Sequence, residues 1–274
     1  MNKEPSTFDK HGFLSRHELD AWENNVRQAQ PDWFSLVDDL NQEAMRICLT
    51  LQPPATNNRQ LFAAAIYYRA LQSFQGAVML AARGMPADAL TLVRSCAESA
   101  IALGGVAHDR KFLESLTDGH NKHIKASANG MLKSKTICPE LTDGQKSQCQ
   151  TVADQFKGDK LQGINWDTLA TDVGMSDLYN TVYRSTSGDA AHATFLALNR
   201  HFRITAEGKF EKLVFHPDDR DVTQVLSMAV CSLLHAMEKL NQVVIAGAVS
   251  DVIAGAVSEY TQRWSELVPP SSEQ

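Results

Sequence analysis

Aromatic residues are scarce in this chain, at 7% of 274 residues. Ala, Leu, Ser and Gln crowd its middle, a composition that favours helix over sheet. Charged residues are also few, at 21% against 43% apolar, so a sizeable core can be buried and disorder of the whole chain is excluded. An excess of basic charge is missing: 26 Lys and Arg stand against 32 Asp and Glu, a net charge of −6. The chain therefore lacks the general positive field that holds duplex nucleic acid, and double-stranded DNA is not an expected partner. Five cysteines, Cys48, Cys96, Cys138, Cys149 and Cys231, are odd in number and scattered, mostly through apolar helical patterns. They suggest neither a disulfide framework nor the paired spacing of a zinc knuckle. The longest uncharged apolar stretch, 222–237, is interrupted by Ser227, Ser232 and His235 and is too short and polar for a membrane span. The N-terminus shows no secretory core and no arginine-rich transit character. A cytoplasmic, bacterial setting without a membrane partner is the expectation. No P-loop, GxGxxG or GxSxG pattern occurs, and no cofactor is expected.

What is present is helical periodicity. Ser15-Arg16-His17-Glu18 reads as a capping box opening a charged helix to about Gln30, and Pro31 starts a second that ends before Pro53. Two Ala- and Leu-rich helices follow, from Asn58 to Ala82 and from Pro86 to about Ala107. The Arg83-Gly84-Met85 link makes them an antiparallel hairpin, with Gly84 just past the first helix. Asp109 can cap a basic helix reaching about Asn129, and 130–163 is polar with one helix between Thr142 and Phe156. Short helices are expected from Asn165 to Val173 and after Ser176. Alternation around Gly208, over Phe202 to Phe215, reads as a β-hairpin. Asp218-Asp219 then opens a final long helix running toward Trp264. Near its end Ile245 to Asp251 recurs as Ile253 to Glu259. The repeat either lengthens a helix or places Gly247 and Gly255 near one face for close approach of a neighbouring backbone. Pro269-Pro270 and the tail are expected to fray.

The expected fold is all-α, a helical bundle with a long antiparallel helix hairpin and one small β-hairpin. The expected organisation is an acidic N-terminal extension (1–56), a helical core (57–246) with a polar insertion (130–163), and a C-terminal helix extension and tail (247–274). Charge is uneven: His17 to Glu43 carries −6, while Arg110 to Lys135 carries +4 and is the stretch able to attract phosphate.

Two constellations could carry chemistry. Arg94 and Glu98, four residues apart, share a helix side with Leu90, Ala97 and Ile101, so their charges point at packed structure and need partners. They form either a structural ion pair or a ligand-facing arginine held by its glutamate. The second is Tyr183-Arg184, Ser187 and His192. On a continuous helix Arg184 and His192 stand about 12 Å apart along the axis and about 80° apart in azimuth, so both could face one cleft. His192, flanked by alanines, is open enough for general acid or base work, or is a packing residue. His120 and His123, with Asp118 and Glu114 before them, have metal-compatible spacing, but a polar helix offers such matches by chance and no metal site is expected.

The stretch ADALTLVRSCAES (Ala87 to Ser99), then LYNTVYRSTSGDAAH (Leu178 to His192), then an apolar final helix, resembles the bacterial helical family DUF5677 over residues 61–244. The resemblance implies an all-α bundle in which Arg94, Glu98, Tyr183, Arg184, Ser187 and His192 converge, and little about activity. A looser likeness is to HEPN helical bundles, many of which are metal-independent RNases with an Arg, four to six residues, then His. Here seven residues separate Arg184 from His192. Two functions follow as expectations. One is a non-enzymatic or accessory binding protein, a homo-oligomer whose Arg/Glu/Tyr/His cluster organises the core or takes a small anionic ligand. The other is a HEPN-like RNase in bacterial stress or phage defence, with His192 as general acid or base, Arg184 on the phosphorane charge, and RNA guided by the basic stretch.

Overall fold

A computed structural model describes residues 6–190, 194–244 and 247–268. It opens on a short helix, α1 (Thr7–His11), closed by a reciprocal cap: Ser6 Oγ accepts from the Asp9 amide at 3.1 Å, and Asp9 accepts from the Ser6 amide at 2.8 Å. A 3-10 turn (Gly12–Leu14) leads into α2 (Arg16–Ala29). The capping box expected at Ser15 does not form. Ser15 makes no side-chain cap, and the Glu18 carboxylate accepts instead from the Thr7 amide at 3.1 Å, an unpaired N–H at the start of α1. Pro31 starts α3 (Pro31–Thr50), which buries Trp33, Phe34, Leu36 and Leu40 in the same apolar cluster as the helices that follow.

The centre of the fold is the hairpin of α4 (Asn58–Ala82) and α5 (Pro86–His108). Along α4 the buried residues repeat every seven: Ala63, Ala70 and Ala77 on one row, Tyr67, Phe74 and Ala81 on the next. Small residues let the neighbouring helices approach, while Tyr67 and Phe74 fill the space between. The Tyr67 hydroxyl, buried with its ring, donates to the Ala44 carbonyl of α3 at 3.0 Å. Gly84 makes the turn at φ +76°. Arg59 closes the far end, donating from Nε to the Val106 carbonyl at 2.8 Å and from Nη2 to that of Ala107 at 2.5 Å. These are carbonyls that the end of α5 leaves unpaired. Among the described residues α5 is the one helix long and apolar enough to cross a membrane, and 72% of that apolar window is buried in the bundle.

The peripheral helices α6 (Phe112–Lys133), α7 (Ile137–Glu140) and α8 (Asp143–Gln155) bury only Phe112, Ala128 and Ala153. Lys125 ties α6 to the end of α8 by donating to the Phe156 carbonyl at 2.6 Å. Next come α9 (Trp166–Asp172) and α10 (Ser176–Leu178), which runs without a break into a π-helix (Tyr179–Arg184) and α11 (Ser185–Ala190). After α12 (Phe195–Asn199), β1 (Phe202–Ile204) and β2 (Phe210–Leu213) pair antiparallel, Phe202 opposite Leu213 and Ile204 opposite Phe210.

The long final helix expected to reach Trp264 is instead two helices, α13 (Val222–Asn241) and α14 (Ala248–Leu267). α13 packs on both arms of the hairpin. α14 folds back along it, with Trp264 Nε1 donating to Ser227 Oγ at 3.0 Å and Ser250 Oγ to Asn241 Oδ1 at 2.8 Å. A straight continuation would leave Ile253, Ala256 and Tyr260 in water, and doubling back buries them. Gly247, at φ +155°, precedes the first residue of α14. The two repeat copies therefore differ in context: the first begins outside the described residues and runs into the start of α14, while the second lies inside it. Among the described residues nothing lies within 4 Å of a Cβ built on Gly247 or Gly255, and no neighbouring backbone approaches either glycine there. Pro269-Pro270 and the tail lie outside the described residues.

Candidate functional site

The π-helix is rooted in a run of hydroxyl residues. Thr181, Ser185, Thr186 and Ser187 donate to the carbonyls of Asp177, Thr181, Val182 and Tyr183, each four residues back, at 2.5 to 2.8 Å. Side chains that compete for these acceptors loosen the α-helical ladder, and the wider turn is accommodated there. Its geometry sorts the side chains. Five residues along an α-helix, Tyr179 and Arg184 would diverge by about 140°, whereas the wider turn brings the Arg184 guanidinium to 5.4 Å from the Tyr179 ring centre.

The result is a column of two stacked rings with a cation at each end. Arg94, half-buried on α5, lies 4.3 Å from the centre of the Tyr183 ring, and Tyr183 stacks on Tyr179 at 5.1 Å and 21°. Tyr179 carries Arg184, and Trp166 flanks Tyr183 at 6.5 Å. Arg94 also donates from Nη2 to the Tyr183 hydroxyl at 3.0 Å and from Nη1 to Ser187 Oγ. One guanidinium thus clamps the π-helix and α11 onto α5 with two hydrogen bonds and a cation–π contact.

Glu98 stands beside this clamp without touching Arg94: no ion pair within 4 Å joins them, although both are described residues. Burial pushes the Glu98 carboxyl above its usual range, against the opposing pull of Arg94, Arg69 and the Tyr183 hydroxyl. A carboxyl raised in the folded state binds its proton more tightly there than in the unfolded chain. Its contribution is therefore fully present below the ordinary carboxylate value and lost as pH rises through the raised one. Glu98→Gln is expected to remove that loss, so that stability in urea falls less between acidic and neutral pH than in the wild type. An unchanged pH slope would show that Glu98 is solvated like a surface carboxylate.

The structure thus brings Arg94, Tyr183 and Ser187 together, with Glu98 next to them. Arg184 does not join them: 63% exposed, it reaches Asp167 at 3.7 Å and Asn180 at 3.4 Å on the outer side of the column. His192 lies outside the described residues. Among the described residues no three His, Cys, Asp or Glu side chains converge as metal ligands, and His120 and His123 are exposed on α6. Nor are Cys231 and His235 on α13 an activated thiol pair, since His235 Nδ1 sits 2.8 Å from the Cys231 carbonyl and burial pushes the thiol up to about 11. Sequence reasoning missed Tyr179, Trp166 and Arg69. The four-residue spacing of Tyr179 and Tyr183 was the available signal for the first.

In comparisons with known proteins, the sequence pattern of a family of unknown function, DUF5677, matches residues 60–210, which include all but the first two residues of α4, together with α5, the π-helix and α11. No curated protein and no solved structure matches the chain. Because the matched region is more than half of the chain and holds both halves of the Arg94 clamp, the chain belongs to the DUF5677 family.

Proposed function

We propose that the protein is a non-enzymatic helical binding and interaction protein, and that the Arg94 cluster is the clamp that holds its shape. The observation that carries this reading is that the two arginines stand at opposite ends of the aromatic column, the inner one committed and the outer one exposed. Arg94 is engaged by Tyr183 and Ser187, and Arg184 faces Asp167 at the other end of the aromatic column. A metal-independent RNase needs an arginine free to meet the charge that develops on phosphorus, beside a general acid or base. Large apolar side chains left open on and near the β-hairpin, Phe195, Phe210 and Leu213, support the interaction half of the reading, including self-association.

The test is growth and total-RNA integrity after expression of the wild type, Arg184→Ala and His192→Ala in matched bacterial strains, with soluble protein measured for each. Intact RNA with all three is the expected result. RNA cleavage by the wild type that disappears in both soluble variants would replace this proposal with the nuclease.

A further inference from the structure

On the side of the molecule where α2 meets the β-hairpin and the approach to α13, a cleft of about 470 Å³ is lined by Trp22, Arg203, Ile204 and Arg220 among others. Arg200, also in its lining, is paired with Asp221, while other donors there are less fully used. The Trp22 indole Nε1–H is buried with no hydrogen-bond partner among the described residues. Among the described residues, Arg203, exposed on β1, has no ion pair or hydrogen bond from its side chain, and Arg220 uses Nε and Nη2 on Asp218 while Nη1 has no partner. Trp22 lines the cleft through atoms other than this buried N–H, and the donors that a ligand in the cleft meets are the exposed guanidiniums of Arg203 and Arg220. Guanidinium groups on the same wall fit an oxyanion, whose oxygens accept several such donors at once. The apolar wall from Phe202, Ile204 and Val214 suits a hydrocarbon or aromatic body. Asp218 and Asp219 on the same wall make a polyanion such as RNA a poor occupant.

We propose that this cleft binds a small organic oxyanion, a phosphate monoester or a carboxylate with an apolar body. The inference deepens the binding reading above without depending on the Arg94 clamp, and it fails by a different readout. The experiment uses the full chain labelled with ¹⁵N-tryptophan, in which the four tryptophans give four indole resonances and Trp22→Phe assigns the one of interest. Phenyl phosphate and benzoate are titrated as probes of the two head groups, and inorganic phosphate as a head without a body. The Trp22 resonance is expected to move saturably with phenyl phosphate, benzoate or both, and less with inorganic phosphate, while that of Trp264 stays in place. Arg203→Ala and Arg220→Ala should each weaken the binding about tenfold, with the other indole resonances reporting an intact fold. Arg46→Ala, on α3 away from the cleft, should leave it unchanged. No saturable movement of Trp22 with any probe, or wild-type affinity in both cleft-arginine variants, would overturn the proposal.

Discussion

Gly84→Ala is expected to lower the unfolding free energy by about 3 kcal/mol, the combined effect of two separate penalties. The first is conformational: φ of +76° is the left-handed region that an L side chain resists, at about 1–2 kcal/mol. The second is spatial. A Cβ at this position would lie 2.5 Å from Pro217 Cβ and 2.7 Å from the Asp218 nitrogen. The loop cannot simply step back, because the Asp218 amide donates to the Gly84 carbonyl at 3.0 Å and so pins the approach to α13 against the hairpin turn. Gly119→Ala is the control. It lies inside α6 with nothing within 4 Å of the new methyl, and it should stabilise by up to about 1 kcal/mol through helix propensity. Urea unfolding followed by circular dichroism measures both. A Gly84→Ala protein as stable as the wild type would mean that the turn between α4 and α5 is not held as described.

Arg94→Ala should cost about 2 kcal/mol, since it removes hydrogen bonds from a charged donor and a cation–π contact from a half-buried position. The larger consequence is directional. Arg94 opposes the upward push on Glu98, so without it the carboxyl rises further and the loss of stability with rising pH extends over a wider window. Arg94→Lys keeps a charge near Glu98 but cannot span the Tyr183 hydroxyl and Ser187 with a planar fork, so an intermediate effect is expected. Arg184→Ala removes an exposed contact and should change stability by no more than about 0.5 kcal/mol. An Arg94→Ala protein as stable as the wild type, or an Arg184→Ala protein less stable than the Arg94→Ala protein, would sink the assignment of Arg94 as the clamp.

The boundaries of the central hairpin were legible because local chemistry sets them. Asn57 caps α4 with its own side chain, Pro86 is preorganised for the first turn of α5, and Gly84 takes the conformation that ends α4. The break between α13 and α14 was not legible, because the apolar period runs through it. The choice between one long helix and a folded-back pair rests on whether Ile253 and Tyr260 find cover, which only the neighbouring helices decide. The hydroxyl run from Thr181 to Ser187 was visible as letters, but its consequence depends on which carbonyls the side chains reach. The expected nearness of Arg94 and Glu98 illustrates the same limit. Four residues on one helix put them side by side, yet the guanidinium turned to a better partner on another element.

Taken alone, the sequence determined the helical class, the hairpin at the centre and its glycine turn, and the family, because periodicity, caps and turns act over a few residues. Tertiary structure decided that α14 doubles back, that a π-helix aligns two tyrosines between two arginines, and that Trp22 lines a cleft with its donor unpaired. Those outcomes depend on burial and on hydrogen-bond competition between residues far apart in the chain, and no local pattern encodes which partner prevails.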